Sequence, residues 1–289
     1  MKMIRIGIIG SDNSHARRFS DLINIDNIFN NKCVVSCIYG IDKSKTQEVA
    51  RLSNIQKICY KINDLLDLVD AVIIVDRNGD LHLKHALPFI KNKIPTFIDK
   101  PLAISLHDCD KLINESNKFG TLFTSFSPLR VSPSIDLIIE RIKYIGEINS
   151  SNYVGPCDFK SIYGGPFFYA THLYEIARKT LNENIKSLSA KEINGNVNLN
   201  IFWKSGKTSN FTYLNNSHYV FHTTIFGKEG YISEEVIGGD FSYTNLLRIF
   251  IDMIDSKIKP LTDYELIEPI KFVHSINKSL EIHGDTIFV

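Results

Sequence analysis

Between residues 4 and 126, strand-length apolar runs alternate with segments of helical spacing, and few folds accept that alternation. The runs lie at 4–10 (Ile-Arg-Ile-Gly-Ile-Ile-Gly), 33–39, 70–75, 95–98 and 121–126. Segments 14–25, 43–53, 80–92 and 104–118 between them repeat apolar residues at helical intervals, with Ala16, Phe19, Leu22 and Ile23 on one face of the first. The runs show little polar alternation, so the strands are expected to be buried on both faces, as in a parallel sheet. Strand–helix–strand units join parallel strands by right-handed crossovers. Residues 1–125 are therefore predicted to form a Rossmann-type, doubly wound parallel sheet of the α/β class.

The pattern changes after about residue 130. Helical spacing runs from Ile135 to Tyr144, with Gly146 as a C-cap residue, and residues 147–159 read as extended. A helix over 167–181 follows the Gly164-Gly165 break. Alternating segments then succeed one another from 184 to 245 without helices between them, separated by turn signals such as Ser205-Gly206 and Asn215-Asn216. Helices over 244–258 and 261–281 and a short strand at 285–289 close the chain. Strands in series predict a second domain, 126–289, of α+β type with an open, largely antiparallel sheet.

Charge and cysteine content narrow the function classes. Lys plus Arg number 33 against 32 Asp plus Glu, which leaves no net field to hold nucleic acid or an anionic membrane. Cys33, Cys37, Cys59, Cys109 and Cys157 are scattered, with no CxxC pair, and read as reduced thiols rather than a disulfide framework or a zinc site. No apolar stretch reaches membrane-spanning length, and the N-terminus enters a strand pattern without a signal-peptide core. The expectation is a cytoplasmic protein without nucleic-acid or membrane partners.

Within the first domain, Asp99-Lys100-Pro101 follows the apolar strand Pro95–Ile98. Pro101 cannot donate to a ladder, so the strand stops there and leaves Asp99 and Lys100 at its C-terminal end. In an open parallel sheet that edge is where ligands bind. A lysine there can give a proton, hold an alcohol oxygen or contact a phosphate; the alternative is a solvated lysine at a strand end.

Four features together resemble the Gfo/Idh/MocA family, whose members include glucose–fructose oxidoreductases and inositol dehydrogenases. They are Ile6-Gly7-Ile8-Ile9-Gly10 with a polar loop and His15; Asp70–Val75 followed by Asn78 and His82; Asp99-Lys100-Pro101, resembling the family's Glu-Lys-Pro; and Gly164-Gly165 followed by His172 and Glu175. The resemblance spans nearly the whole chain. It implies an NAD(P)-dependent oxidoreductase that moves a hydride between nicotinamide and a secondary alcohol or ketone of a sugar, cyclitol or related polyol. It further implies a homodimer or homotetramer joined through the C-terminal sheet.

The individual residues carry this expectation unevenly. A dinucleotide fingerprint uses three glycines, and in Gly10-Ser11-Asp12-Asn13-Ser14-His15 only Gly10 is kept. The helix that follows can still offer N–H groups to a phosphate. The acid expected for the ribose hydroxyls aligns with Gly40; Asp42 can substitute for it, while Lys43, Ser44 and Lys45 suit the 2′-phosphate of NADP. By resemblance Asn78 and His82 lie beside the nicotinamide ribose. His82 and His85 share a helix face, but no carboxylate completes a metal site in sequence, so no metal is expected.

Lys100 is assigned to the substrate oxygen and His172 to the proton, since imidazole titrates near working pH. Many relatives carry an Asp four residues before this His; here it is Phe168, which leaves Tyr169 or Glu175 as polar partners. Tyr169 and Glu175 are also substrate-side candidates, and Arg130, Tyr163 and Tyr174 are further ones that could line the pocket. The altered loop, Gly40 and Phe168 also admit an alternative: a non-catalytic nucleotide- or sugar-binding regulatory relative with a degraded cofactor loop.

Overall fold

The computed structural model of the chain describes residues 3–289. The chain clusters into two compact units: residues up to Phe126 with Leu246–Ile267, and Ser127–Asn245 with Glu268–Val289.

The first unit is built on a parallel sheet of β1 (Ile4–Ile9), β2 (Cys33–Tyr39), β3 (Lys57–Cys59), β4 (Ala71–Ile74), β5 (Thr96–Ile98) and β6 (Phe123–Thr124). Its order is β3-β2-β1-β4-β5-β6, and every pairing is parallel. Strand order reverses between β1 and β4, which makes the loops after these two strands flank the switch point. The helices are α1 (Ser14–Asn24), α2 (Lys43–Leu52), α3 (His82–Lys91) and α4 (Leu106–Phe119). Their boundaries follow local chemistry. Asn13, Asp42 and Ser105 cap α1, α2 and α4 by accepting from backbone N–H groups, and Gly120 closes α4 at φ 66°. The sheet core is Ile6, Ile8 and Ile9 with Ala71–Ile74 and Phe97, all below 1% exposed, which explains the unbroken apolar runs.

Two sequence expectations change in this unit. The run at 121–126 is a strand only over Phe123–Thr124, and β3 had no signal because Lys57-Ile58-Cys59 is too short to show a period. The domain division at 125/126 assigns Leu246–Ile267 to the second domain, yet these residues cluster with the first. Side-chain contacts explain this: Phe250 packs on Phe97 at 6.0 Å between ring centroids, and Asn117 donates to Asp263 at 2.7 Å.

The second unit holds a mixed sheet of order β12-β11-β7-β10-β9-β8-β13. Its strands are β7 (Ile148–Pro156), β8 (Ile185–Ile193), β9 (Asn196–Trp203), β10 (Thr208–Leu214), β11 (His222–Gly227), β12 (Tyr231–Glu235) and β13 (Ile287–Phe288). The pairings are antiparallel except β10 with β7, which run parallel. The exception falls where α6 (Ala170–Leu181) interrupts the series after β7, since parallel neighbours need a crossover. The helix expected over 167–181 begins three residues later, after a 3-10 turn at Gly165–Phe168. Helix α5 (Pro133–Ile142) precedes the sheet, and α7 (Asp240–Ser256) and α8 (Asp263–Glu281) come between β12 and β13 in the chain.

One face of this sheet buries Tyr153, Trp203, Phe211 and Tyr213. Their polar tips are satisfied: Tyr153 Oη lies 2.8 Å from Thr180 Oγ1, Tyr213 O–H donates to the Ala170 carbonyl at 2.8 Å, and Trp203 Nε1–H donates to Ser209 at 2.7 Å. The first two bonds pin α6 to the sheet at both ends. Among the described residues, no helix is long and apolar enough to cross a membrane.

Candidate active site

The first cluster of sequence-predicted residues gathers at the C-terminal edge of the parallel sheet. Gly10 ends β1 at φ 96°, and a Cβ there would stand 2.6 Å from the Asp76 backbone nitrogen. Glycine is thus required where the β1–α1 turn passes the end of β4. Asn13 caps α1 through its side-chain oxygen, which accepts from His15 N–H at 3.1 Å, while its amide nitrogen donates to Asp99 Oδ2 at 3.3 Å. His15 Nδ1 lies 2.7 Å from the same carboxylate oxygen. The Asp12 carboxylate accepts from the Arg77 N–H at 3.4 Å, so it turns toward the loop after β4. Ser14 is the exposed first residue of α1.

Asp99 and Lys100 are both buried, at 0% and 7% exposure. Burial alone would raise the Asp99 carboxyl; attraction to His15 and its hydrogen bond, then Lys100 and His82, outweigh burial and hold it at about 2. Asp99 Oδ1 is buried and has no hydrogen-bond partner. The Lys100–Pro101 peptide is cis. Asn78 caps a 3-10 turn at Gly79–Leu81, and a Cβ at Gly79 would meet the Pro101 ring at 2.8 Å. His82 ties these pieces together, with its ring nitrogens 2.7 Å from the Pro101 carbonyl and 3.0 Å from the Asp76 carbonyl. The loops after β1, β4 and β5 therefore form one connected cluster, and Gly10, Asp12, Asn13, His15, Asn78, His82, Asp99, Lys100 and Pro101 all belong to it.

Sequence reasoning missed Asp76, which is 4% exposed and bonds His85 Nδ1 through Oδ2 at 2.7 Å. An acid directly after the apolar run of β4 was the available signal. Asp76 pairs with His85, but among the described residues no group of three His, Cys, Asp or Glu side chains is arranged to hold a metal ion.

The predicted ribose contacts follow β2, the neighbour of β1 in the sheet. A Cβ at Gly40 would collide with the hydroxyls of Ser11 and Thr46, which bond each other at 2.9 Å. No acid can occupy position 40 without displacing that pair, and Ser11 turns its hydroxyl to α2. Asp42 Oδ1 accepts from the Lys45 N–H at 3.1 Å as the cap of α2, and Lys43, Ser44 and Lys45 are exposed in its first turn. Burial pushes the Cys37 and Cys109 thiols up to about 12 and that of Cys33 to about 11, which disfavours the thiolate at these three.

The second cluster lies on α6 of the other unit. Gly155 on β7 lets Phe221 and Leu173 approach within 3 Å of where its Cβ would be, which seats α6 closely on the sheet. His172 is 5% exposed, and its ring meets Tyr169 at 5.4 Å and Phe221 at 5.3 Å. Its Nδ1 lies 2.6 Å from Ser127 Oγ. Glu175 Oε1 accepts from the Ser127 N–H at 2.8 Å, and Oε2 lies 3.8 Å from Arg130 Nη1. Glu175 thus supports the residue beside His172, and Arg130 balances its charge. Tyr163 and Phe168 stack at 5.6 Å, and Tyr169 packs edge-on to Tyr219 at 6.2 Å. Ser127, unsignalled in sequence, brings a polar partner to His172 beside the Tyr169 ring.

Comparison with known proteins agrees with this architecture. Residues 4–126 match the model of the Gfo/Idh/MocA oxidoreductase family, NAD-binding Rossmann fold. Myo-inositol 2-dehydrogenase of Thermotoga maritima is 24% identical over 199 residues, 65% of this chain and 58% of that enzyme. The chain thus spans little more than half the length of that relative. The solved structure of myo-inositol 2-dehydrogenase from Lactobacillus plantarum superposes with a TM-score of 0.88 at 14% identity over 100% of both chains. That of scyllo-inositol dehydrogenase from Lactobacillus casei, with bound NAD(H) and scyllo-inositol, has a TM-score of 0.85 at 14% identity over 99% of both. These likenesses carry the fold across both units, and the parallel-sheet unit is the part of the chain that matches the Gfo/Idh/MocA oxidoreductase family.

Proposed function

We propose that the protein is an NAD(P)-dependent oxidoreductase acting on a secondary alcohol or ketone of a sugar, cyclitol or related polyol. The observation that carries this reading is the buried Asp99–Lys100 pair at the C-terminal end of β5, inside a unit that matches an NAD-binding oxidoreductase fold. The residues present fit a dinucleotide. Gly10 gives the close backbone turn, α1 begins directly beyond it, and the bare Oδ1 of Asp99 is a buried acceptor without a partner. The nicotinamide, when bound, gives or takes the hydride.

The rest falls to the chain. Lys100 holds the substrate oxygen and stabilises charge that develops on it, while His172 gives or takes the hydroxyl proton. Asn13, Asn78 and His82 belong to the cofactor side, and Tyr163, Tyr169 and Arg130 to the substrate side. The relatives' inositol substrates support a cyclitol-like ligand, and the exposed Phe202, Phe226 and Tyr231 on the second sheet support self-association through it. The closed slot at Gly40 favours a second reading, a nucleotide- or sugar-binding protein without turnover.

Fluorescence titration with NADH and NADPH, followed by a polyol panel monitored at the nicotinamide absorbance, separates the two readings. The oxidoreductase reading expects binding of at least one cofactor and turnover of at least one polyol. Absence of binding at millimolar cofactor defeats it, and binding without turnover across the panel leaves the second reading.

A further inference from the structure

We propose that Ser127 is the positioning residue of His172, standing in for an acid four residues before it; the inference rests on the oxidoreductase reading for its kinetic part only. The place four residues before His172 belongs to Phe168, whose ring packs on Tyr163 at 5.6 Å and Tyr169 at 4.8 Å and brings no polar atom to the imidazole. The contact to Nδ1 comes instead from Ser127, 0% exposed and 2.6 Å away, on the residue that caps a 3-10 turn at Pro128–Val131.

Ser127 is itself held at two points, one of them backed by an arginine. Its N–H donates to Glu175 Oε1 at 2.8 Å, its Oγ accepts from the Leu129 N–H at 3.1 Å, and Arg130 lies 3.8 Å from the other oxygen of Glu175. Glu175 is one turn from His172 on α6, so a single helix carries the imidazole and the carboxylate that fixes its partner. A hydroxyl gives one proton and accepts on its oxygen. With the Leu129 N–H on the Ser127 oxygen and no exposure to solvent, the hydroxyl proton goes to Nδ1 of His172. That sets the neutral tautomer with Nδ1 accepting and the proton on Nε2, and it fixes the plane of the ring. Because Ser127 carries no charge, it orients the ring without the electrostatic support a carboxylate would give the imidazolium.

The test is nitrogen-15 spectroscopy of the histidine rings in the full chain, with steady-state kinetics alongside. In the wild type the neutral His172 ring should show the proton on Nε2 and Nδ1 as a hydrogen-bonded acceptor. Ser127→Ala should move the Nδ1 signal to that of an acceptor without a hydrogen bond, and should lower kcat about 10- to 100-fold with the KM for NADH unchanged, the scale expected for a misplaced proton-transfer group. Ser127→Thr, which keeps the hydroxyl, should restore both. If S127A does not fold, Ser127→Cys, a weak donor of similar size, takes its place. An Nδ1–H tautomer in the wild type, or His172 signals and kcat both unmoved in the folded variant, overturns the proposal. Signals that respond to the substitution in a protein that binds no NADH uphold the pair and remove the oxidoreductase reading instead.

Discussion

His15 Nδ1 and Asp99 Oδ2 lie 2.7 Å apart, a contact that reaches from the first turn of α1 to the end of β5. Strand β4 lies between β1 and β5 in the sheet, so the hydrogen bond passes over the end of β4, at the switch point where a dinucleotide would cross. Dinucleotide loops usually make room there with glycines. Here a histidine and two asparagine contacts organise the same turn around one buried carboxylate.

That carboxylate makes stability depend on acid. The Asp99 carboxyl is held at about 2 in the folded chain, against an ordinary value near ~3.9. A depressed folded value contributes stability above the ordinary pKa and loses it as pH falls toward the folded one. Between pH ~4 and ~2 the wild type should therefore lose about 2 kcal/mol more than Asp99→Asn, read from urea midpoints across that range. Equal loss in both proteins would show that Asp99 is not held in this way.

His15→Ala removes the main partner of that acid and leaves a carboxylate with no exposure. Breaking a buried pair from one side costs about 3–5 kcal/mol. His15 keeps 12% of its side-chain surface in solvent, so the lower end of that range is expected at neutral pH, measured by urea unfolding. The double variant with Asp99→Asn should recover part of the loss, because no buried charge is then left alone.

Gly40→Asp should fail to create an NAD-type ribose site. Its Cβ would collide with the hydroxyls of Ser11 and Thr46, and the Ser11–Thr46 bond would have to break inside the unit. Destabilisation of about 1–3 kcal/mol is expected from overpacking, with no gain in NADH affinity by fluorescence titration. Lys43→Glu together with Lys45→Glu, on exposed positions, should leave stability within about 0.5 kcal/mol and weaken NADPH more than NADH.

These sites differ in how far they could be read from the residues alone. The parallel unit was legible because its strands are buried on both faces and its caps, Asn13, Asp42 and Ser105, are local signals. The Asp99-Lys100-Pro101 stretch was legible because a proline must end a strand, and the strand end is the ligand edge. The partners were not. His15 meets Asp99 across 84 positions of sequence, and Ser127 meets His172 across 45. Nothing in a local window encodes such pairs, and the return of Leu246–Ile267 to the first unit is of the same kind. Asp42 shows the converse difficulty: an acid placed well for a ribose is also an ordinary helix cap, and the cap is what forms.

Glu175→Gln addresses the support behind His172. Glutamine keeps an oxygen to accept from the Ser127 N–H but removes the charge that faces Arg130, both groups being largely buried. The guanidinium, at 15% side-chain exposure, then loses this counter-charge, and a loss of about 1–3 kcal/mol is expected in thermal or urea unfolding. Adding Arg130→Met should return part of that stability, since the largely buried charge is then gone. Glu175→Ala should cost more than Glu175→Gln, because the Ser127 N–H also loses its acceptor inside the unit. If both single variants unfold alike and Arg130→Met restores nothing, the carboxylate does not organise this turn.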